Sequence, residues 1–102
     1  MGLRLRISRQ TLALLGAFLE RPAEWQHGYA LSQSIGISSG TLYPILMRLE
    51  GLGWLETRWE AQPEGRPARH LYRLTSEARA WAREELAHAR ARKLWKSSPA
   101  EA

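Results

Sequence analysis

Apolar residues recur at steps of three and four along much of this chain, and at steps of two in one region, so the sequence alternates between helical and extended periods. Helical spacing opens at about Arg9, with Leu12, Leu15 and Leu19 on one side and Leu14 and Phe18 beside them. Ser8 offers a cap, and Arg21–Pro22 stops the helix near Glu20, because the residue before proline leaves the helical region. In residues 25–35, Tyr29, Leu31 and Ile35 fit a second helix of about two turns, followed by Gly36. Within residues 38–53, Leu42, Ile45, Leu46, Leu49 and Leu52 line one side of a third helix. Ser38 or Ser39 caps its start, and Gly51 and Gly53 loosen and end it. Two short helices joined by a tight link at Gly36–Ile37, the second amphipathic and capped, form a helix-turn-helix pattern.

After Gly53 the period falls to two. Residues 54–60 place Leu55, Thr57 and Trp59 on one face and Glu56 and Arg58 on the other. Residues 68–74 place His70, Tyr72 and Leu74 together, opposite Arg69, Leu71 and Arg73. The stretch between them, AQPEGRP, is dense in turn formers, so a two-stranded hairpin is expected with Gly65 and Arg66 at its tip. A hairpin of this size is marginal alone and must lean on the helices. Thr75 caps a long last helix with Glu77 near its positive end. Ala78, Trp81, Ala82, Leu86 and Ala89 form one stripe on it, interrupted by Glu85; Ala80, Ala87, Ala91 and Leu94 form a second on nearly the opposite side. A helix apolar on two sides calls for two partners, its own domain and a second copy of the chain, although alanine buries little and one side suits solvent as well.

The expected architecture is mainly α with a small β-hairpin (α+β), in the order of a winged helix-turn-helix followed by a long C-terminal dimerisation helix. Residues 1–74 form the winged helix-turn-helix, 75–96 the dimerisation helix and 97–102 a disordered tail.

Composition sharpens the picture at a few points. At 102 residues the chain holds one core. No apolar run reaches membrane-spanning length, the start MGLRLRISRQ lacks a signal-peptide core, and there is no cysteine, so a cytoplasmic protein is expected. Fifteen Lys+Arg against ten Asp+Glu give a net charge of +5, and thirteen of the fifteen cations are arginine, whose planar fork suits phosphates and guanine edges. The outward side of the third helix carries Gly40, Tyr43, Met47 and Arg48, bordered by Thr41. Such a face suits DNA reading and equally an ordinary solvated helix. An enzyme finds little support: His27, His70 and His88 fall on different elements without metal-ligand spacing. Glu85-x-x-His88 matches half of a di-iron motif without a second copy. No glycine-rich phosphate loop or nucleophile elbow occurs, so no catalytic residue, metal or cofactor is expected.

Several of these residues together resemble the PadR family of bacterial transcriptional regulators, over about residues 12–85. The carriers are His27-Gly28-Tyr29, then Gly40-Thr41-Leu42-Tyr43-Pro44 running into Leu46, Arg48, Leu49 and Glu50, then Trp59, the Gly65-Arg66-Pro67 turn, and Tyr72-Arg73-Leu74-Thr75. The resemblance implies a winged-helix homodimer that binds operator DNA, usually as a repressor, and exchanges C-terminal helices across the dimer. One C-terminal helix is present, as in the short branch of the family. In short members the space between subunits accepts flat aromatic compounds; Trp81 and Trp95 are candidates to line it, or are plain core.

On this reading the start of the third helix enters the major groove. Ser38, Ser39 and Thr41 offer hydroxyls to bases or phosphates, and Gly40 permits close approach. Tyr43 donates to a phosphate or packs, Pro44 touches a thymine methyl, and Arg48 meets a phosphate. Tyr29 resembles the family's backbone-contacting tyrosine. At the wing Arg66 and Arg69 reach the minor groove or its phosphates, with Arg4, Arg6 and Arg9 adding backbone charge. The competing reading is a winged-helix module for protein contact without specific DNA readout, anchored by an exposed Trp54 or Trp25.

Overall fold

The computed structural model describes residues 7–96, with the backbone alone at 94–96. The elements run α1 (Arg9–Glu20), β1 (Gln26–His27), α2 (Gly28–Ile35), α3 (Ser39–Gly51), β2 (Leu55–Glu60), β3 (Arg69–Leu74) and α4 (Ser76–Lys96). Three of the four helices among the described residues start where a short hydroxyl side chain accepts a free backbone N–H. Ser8 accepts from Thr11 at 3.1 Å, Ser38 from Thr41 at 3.3 Å and Thr75 from Ala78 at 3.1 Å. His27 Nδ1 takes the same role for α2, accepting from Ala30 at 3.5 Å. Gly36, at φ +72°, closes α2 in the left-handed conformation. At the end of α3, Gly53 at φ +80° turns the chain while Trp54 N–H donates back to the Leu49 carbonyl at 3.0 Å.

The core is one cluster. Leu14, Leu15 and Phe18 of α1, Leu31 of α2, and Leu42, Leu46 and Leu49 of α3 meet Leu55, Tyr72 and Leu74 of the sheet. The small residues Ala78 and Ala82 bring α4 against this cluster, both buried. The inward face of α1 runs through Thr11, Leu14, Leu15 and Phe18; Leu12, expected inside, is half-buried at its edge. Leu52, expected on the apolar side of α3, is exposed. It follows the last helical turn as the cap residue, so it leaves the helical face that Leu42 and Leu49 share.

The sheet has three strands, not two. Its order is β1-β3-β2, both pairs antiparallel, with Gln26 opposite Tyr72 and His27 opposite Leu71. A two-residue strand has no period to read, which is why the hairpin alone was expected. The hairpin register pairs Leu55 with Leu74, Thr57 with Tyr72 and Trp59 with His70, as the two-residue alternation requires. At its tip Glu64 and Gly65 both take positive φ (57° and 73°) and Arg66 N–H donates to the Pro63 carbonyl at 3.3 Å, the pattern of a type I′ turn.

One contact joins the two halves of the helix-turn-helix. A Cβ added at Gly28, the first residue of α2, would lie 2.1 Å from Tyr43 Oη, so the phenol of α3 occupies the space a side chain there would need. Tyr43 is partly exposed and can swing outward if crowded. Gly28→Ala should therefore cost roughly 1–2 kcal/mol in urea unfolding, and Tyr43→Ala should recover most of that cost in a double-mutant cycle. Strictly additive effects would refute the contact.

Candidate nucleic-acid interface

Burying Leu42, Ile45, Leu46 and Leu49 obliges α3 to turn its other side outward, and Gly40, Thr41, Tyr43, Pro44, Met47 and Arg48 are all exposed there. Ser38 and Ser39 are exposed at its start. The hydroxyls are not equivalent. Ser38 is committed to the cap, accepting from Thr41 N–H and donating to Thr41 Oγ1 at 3.3 Å. Thr41 thereby keeps its own proton for an outside acceptor. Pro44 lies inside the helix and lacks the N–H that would reach the Gly40 carbonyl, which leaves that carbonyl without its usual donor. Arg48 stands in the last turn, where a cation complements the helix dipole.

Between α3 and the hairpin lies a groove of about 650 Å3. Tyr29, Tyr43, Met47, Trp59 and Arg69 all line it, so the fold brings the candidate tyrosines of two helices to one wing arginine. Arg66 stands apart at the exposed turn. None of Arg48, Arg66 and Arg69 forms a salt bridge or side-chain hydrogen bond among the described residues, in contrast to Arg73. That side chain donates from Nε to Glu56 at 2.7 Å and from Nη1 to the Ala23 carbonyl at 3.1 Å, and lies 4.3 Å over the Trp25 ring.

Three groups of the groove escaped the sequence reading. Trp59 is stacked on His70 with ring centroids 4.3 Å apart and planes 13° apart; His70 Nδ1 and Tyr72 Oη are hydrogen-bonded at 3.0 Å. The cue was the shared face in the two-residue alternation, but which strand residues sit opposite depends on the length of the turn. Tyr72 is buried beneath them. Burial, then the Tyr43 phenol and the Glu50 carboxylate, push its hydroxyl up to about 12.

Other expectations resolve differently. Trp54 is half-buried against Trp81, with centroids 4.1 Å apart, and Trp25 is half-buried under Arg58 and Arg73. Neither is the exposed anchor that a protein-contact module was expected to use, because each has found a partner on another element. Trp81 itself packs against the core. Ala80, Ala87 and Ala91 are exposed along α4. The side chains of Leu94 and Trp95, Arg4 and Arg6, and the tail at 97–102 lie outside the described residues. Among the described residues no cluster of three or more His, Cys, Asp or Glu could hold a metal, and no helix is long and apolar enough to cross a membrane.

The sequence profile of the transcriptional regulator PadR-like family matches residues 17–84. Among solved structures, a PadR family transcriptional regulator from Eggerthella lenta is 34% identical over 88% of this chain and 86% of its own, with a TM-score of 0.65. A protein of Streptococcus mutans is 26% identical over 90% of this chain and 88% of its own, with a TM-score of 0.67. A transcriptional regulator from Clostridium thermocellum shares the fold at 22% identity, covering 86% of this chain and 92% of its own, with a TM-score of 0.67. No curated protein matches the sequence.

The raised Tyr72 hydroxyl has a consequence for stability. Unfolded tyrosine ionises near pH 10, the folded one later, so between about pH 10 and 12 the folded state holds more protons and its stability falls as pH rises. Urea unfolding should give constant stability from this group below about pH 10, and Tyr72→Phe should lessen the decline above it. An identical decline in parent and variant would contradict the assignment.

Proposed function

This chain belongs to the transcriptional regulator PadR-like family, and we propose that it is a sequence-specific DNA-binding repressor acting as a homodimer on an inverted-repeat operator in the cytoplasm. The observation that carries the DNA-binding reading is the pairing of two features. The hydroxyl-rich start of α3 is exposed, and Arg48 in its last turn and Arg66 and Arg69 at the wing are spent on no internal partner among the described residues. A major groove admits such a helix end-on, with Gly40 allowing close approach and Thr41 donating outward. Tyr29 and Tyr43 then meet the backbone at the helix-turn-helix. Ser39 and Pro44 face base edges, while Ser38 acts through the cap. Arg66 and Arg69 meet the strand beside the minor groove.

The homodimer is supported by a second groove, of about 530 Å3, between α1 and α4. Gly16, Ala17, Leu86 and Ala87 give it small apolar walls, and Arg83 and Arg90 lie across from Glu20. With the exposed Ala80 and Ala91 this gives a second copy's α4 a face to cover. Two subunits place two α3 helices on one side of the duplex, so half-sites stand about one helical turn apart. A flat aromatic compound held between subunits near Trp81 and Trp95 is the proposed effector class.

The test is binding to DNA from upstream of the protein's own gene against a scrambled duplex of equal length, in about 150 mM salt. A clear preference with two chains per site is expected. Equal weak binding to both would sink autoregulation, and no binding even at low salt would sink the DNA-reading role. Arg66→Ala should weaken all sequences alike and flatten the salt slope by about one; an unchanged slope would remove Arg66 from the contact surface.

A further inference from the structure

The groove between α3 and the hairpin has on each side an apolar, exposed group without any role in the contacts proposed above. Trp59 is 66% exposed and Met47 70%, and both line this groove. Trp59 is held in place nonetheless. Its ring lies flat on His70, its register partner on β3, and His70 is tied to the hydroxyl of buried Tyr72. A shelf already ordered loses little freedom when something binds it.

The geometry of a duplex says what passes there. One sugar–phosphate strand separates a major groove from the adjacent minor groove. With α3 in the major groove and the Gly65–Arg66 turn at the minor groove, the strand between them runs through the space between α3 and the hairpin. We infer that Trp59, laid on His70, packs together with Met47 against deoxyribose rings of that strand, a contact that grips DNA without reading its sequence. The inference rests on the DNA-binding reading above. The charges suit this orientation. Arg69 lines the groove at the first residue of β3, free to meet phosphates, whereas the Glu50 carboxylate near the C-terminal end of α3 repels them. Sugars therefore face the indole and thioether, and phosphates face Arg69.

The experiment is equilibrium binding of the full chain to the upstream duplex and to the scrambled duplex, each over a series of salt concentrations. Trp59→Ala should weaken both duplexes by about tenfold at every salt and leave the salt slope unchanged, since a sugar contact releases no counterions. Met47→Ala, on the exposed face of α3 and outside the core cluster, should weaken both by about threefold with thermal unfolding unchanged. If Trp59→Ala fails to fold, the methionine variant decides the matter. Parental affinity in both variants, while Arg66→Ala binds more weakly, would overturn the shelf and leave the DNA-binding reading standing. A loss confined to the upstream duplex would overturn it in favour of base reading. Absence of binding by the parent protein would remove the DNA-binding reading and this contact with it.

Discussion

The approach of Tyr43 to Gly28 is the constraint from which the working surface follows. The two helices of the helix-turn-helix come this close because α2 begins with a residue that has no side chain. The same three residues, Gln26 to Gly28, pair with β3 and then start α2, so the position of the sheet and the angle of the helices are set at one place. Tyr29 and Tyr43 consequently line the same groove, and β3 cannot shift without moving α2.

The sheet then divides its two faces between different tasks. On one, Leu55 and Leu74 belong to the core, Tyr72 is buried under the groove, and His70 and Trp59 carry the stack outward to solvent. On the other, Arg73 gathers Glu56, the Ala23 carbonyl and the Trp25 ring, and Arg58 covers the same ring at 4.8 Å. Such partly exposed ion pairs contribute modestly, but three contacts on one guanidinium tie the segment before β1 to the wing. A two-stranded hairpin that would be marginal alone is held by this strap on one side and by the core on the other.

Net charge is a poor guide to binding until the arginines are sorted by what they already touch. Arg73 and Arg58 serve the sheet, Arg79 donates to the Leu74 carbonyl at 3.2 Å, and Arg21 pairs with Glu24 at 3.7 Å. Arg48 in the last turn of α3, and Arg66 and Arg69 at the wing, are left with their donors unspent among the described residues. An unpaired guanidinium keeps its full attraction for phosphate, so free donors such as these, and not the net charge, bear on the proposed DNA contact.

The sequence by itself determined what depends on neighbours close along the chain. The bounds of α1, the caps at Ser8, Ser38 and Thr75, the buried side of α3 and the alternating faces of the hairpin are all set by interactions spanning a few residues, and a family resemblance can be carried on the same local motifs. Tertiary structure decided what depends on partners far apart in sequence. Trp54, Trp25 and Trp59 look alike as letters, yet Trp81 covers the first, two arginines cover the second, and the third lies on His70 and stays open. The two-residue β1 exists only because β3 offers it hydrogen bonds, and Leu52 is exposed only because the chain turns at Gly53 before it can rejoin the core. Burial of a large side chain is a property of the pair, and the second member of each pair arrives by folding.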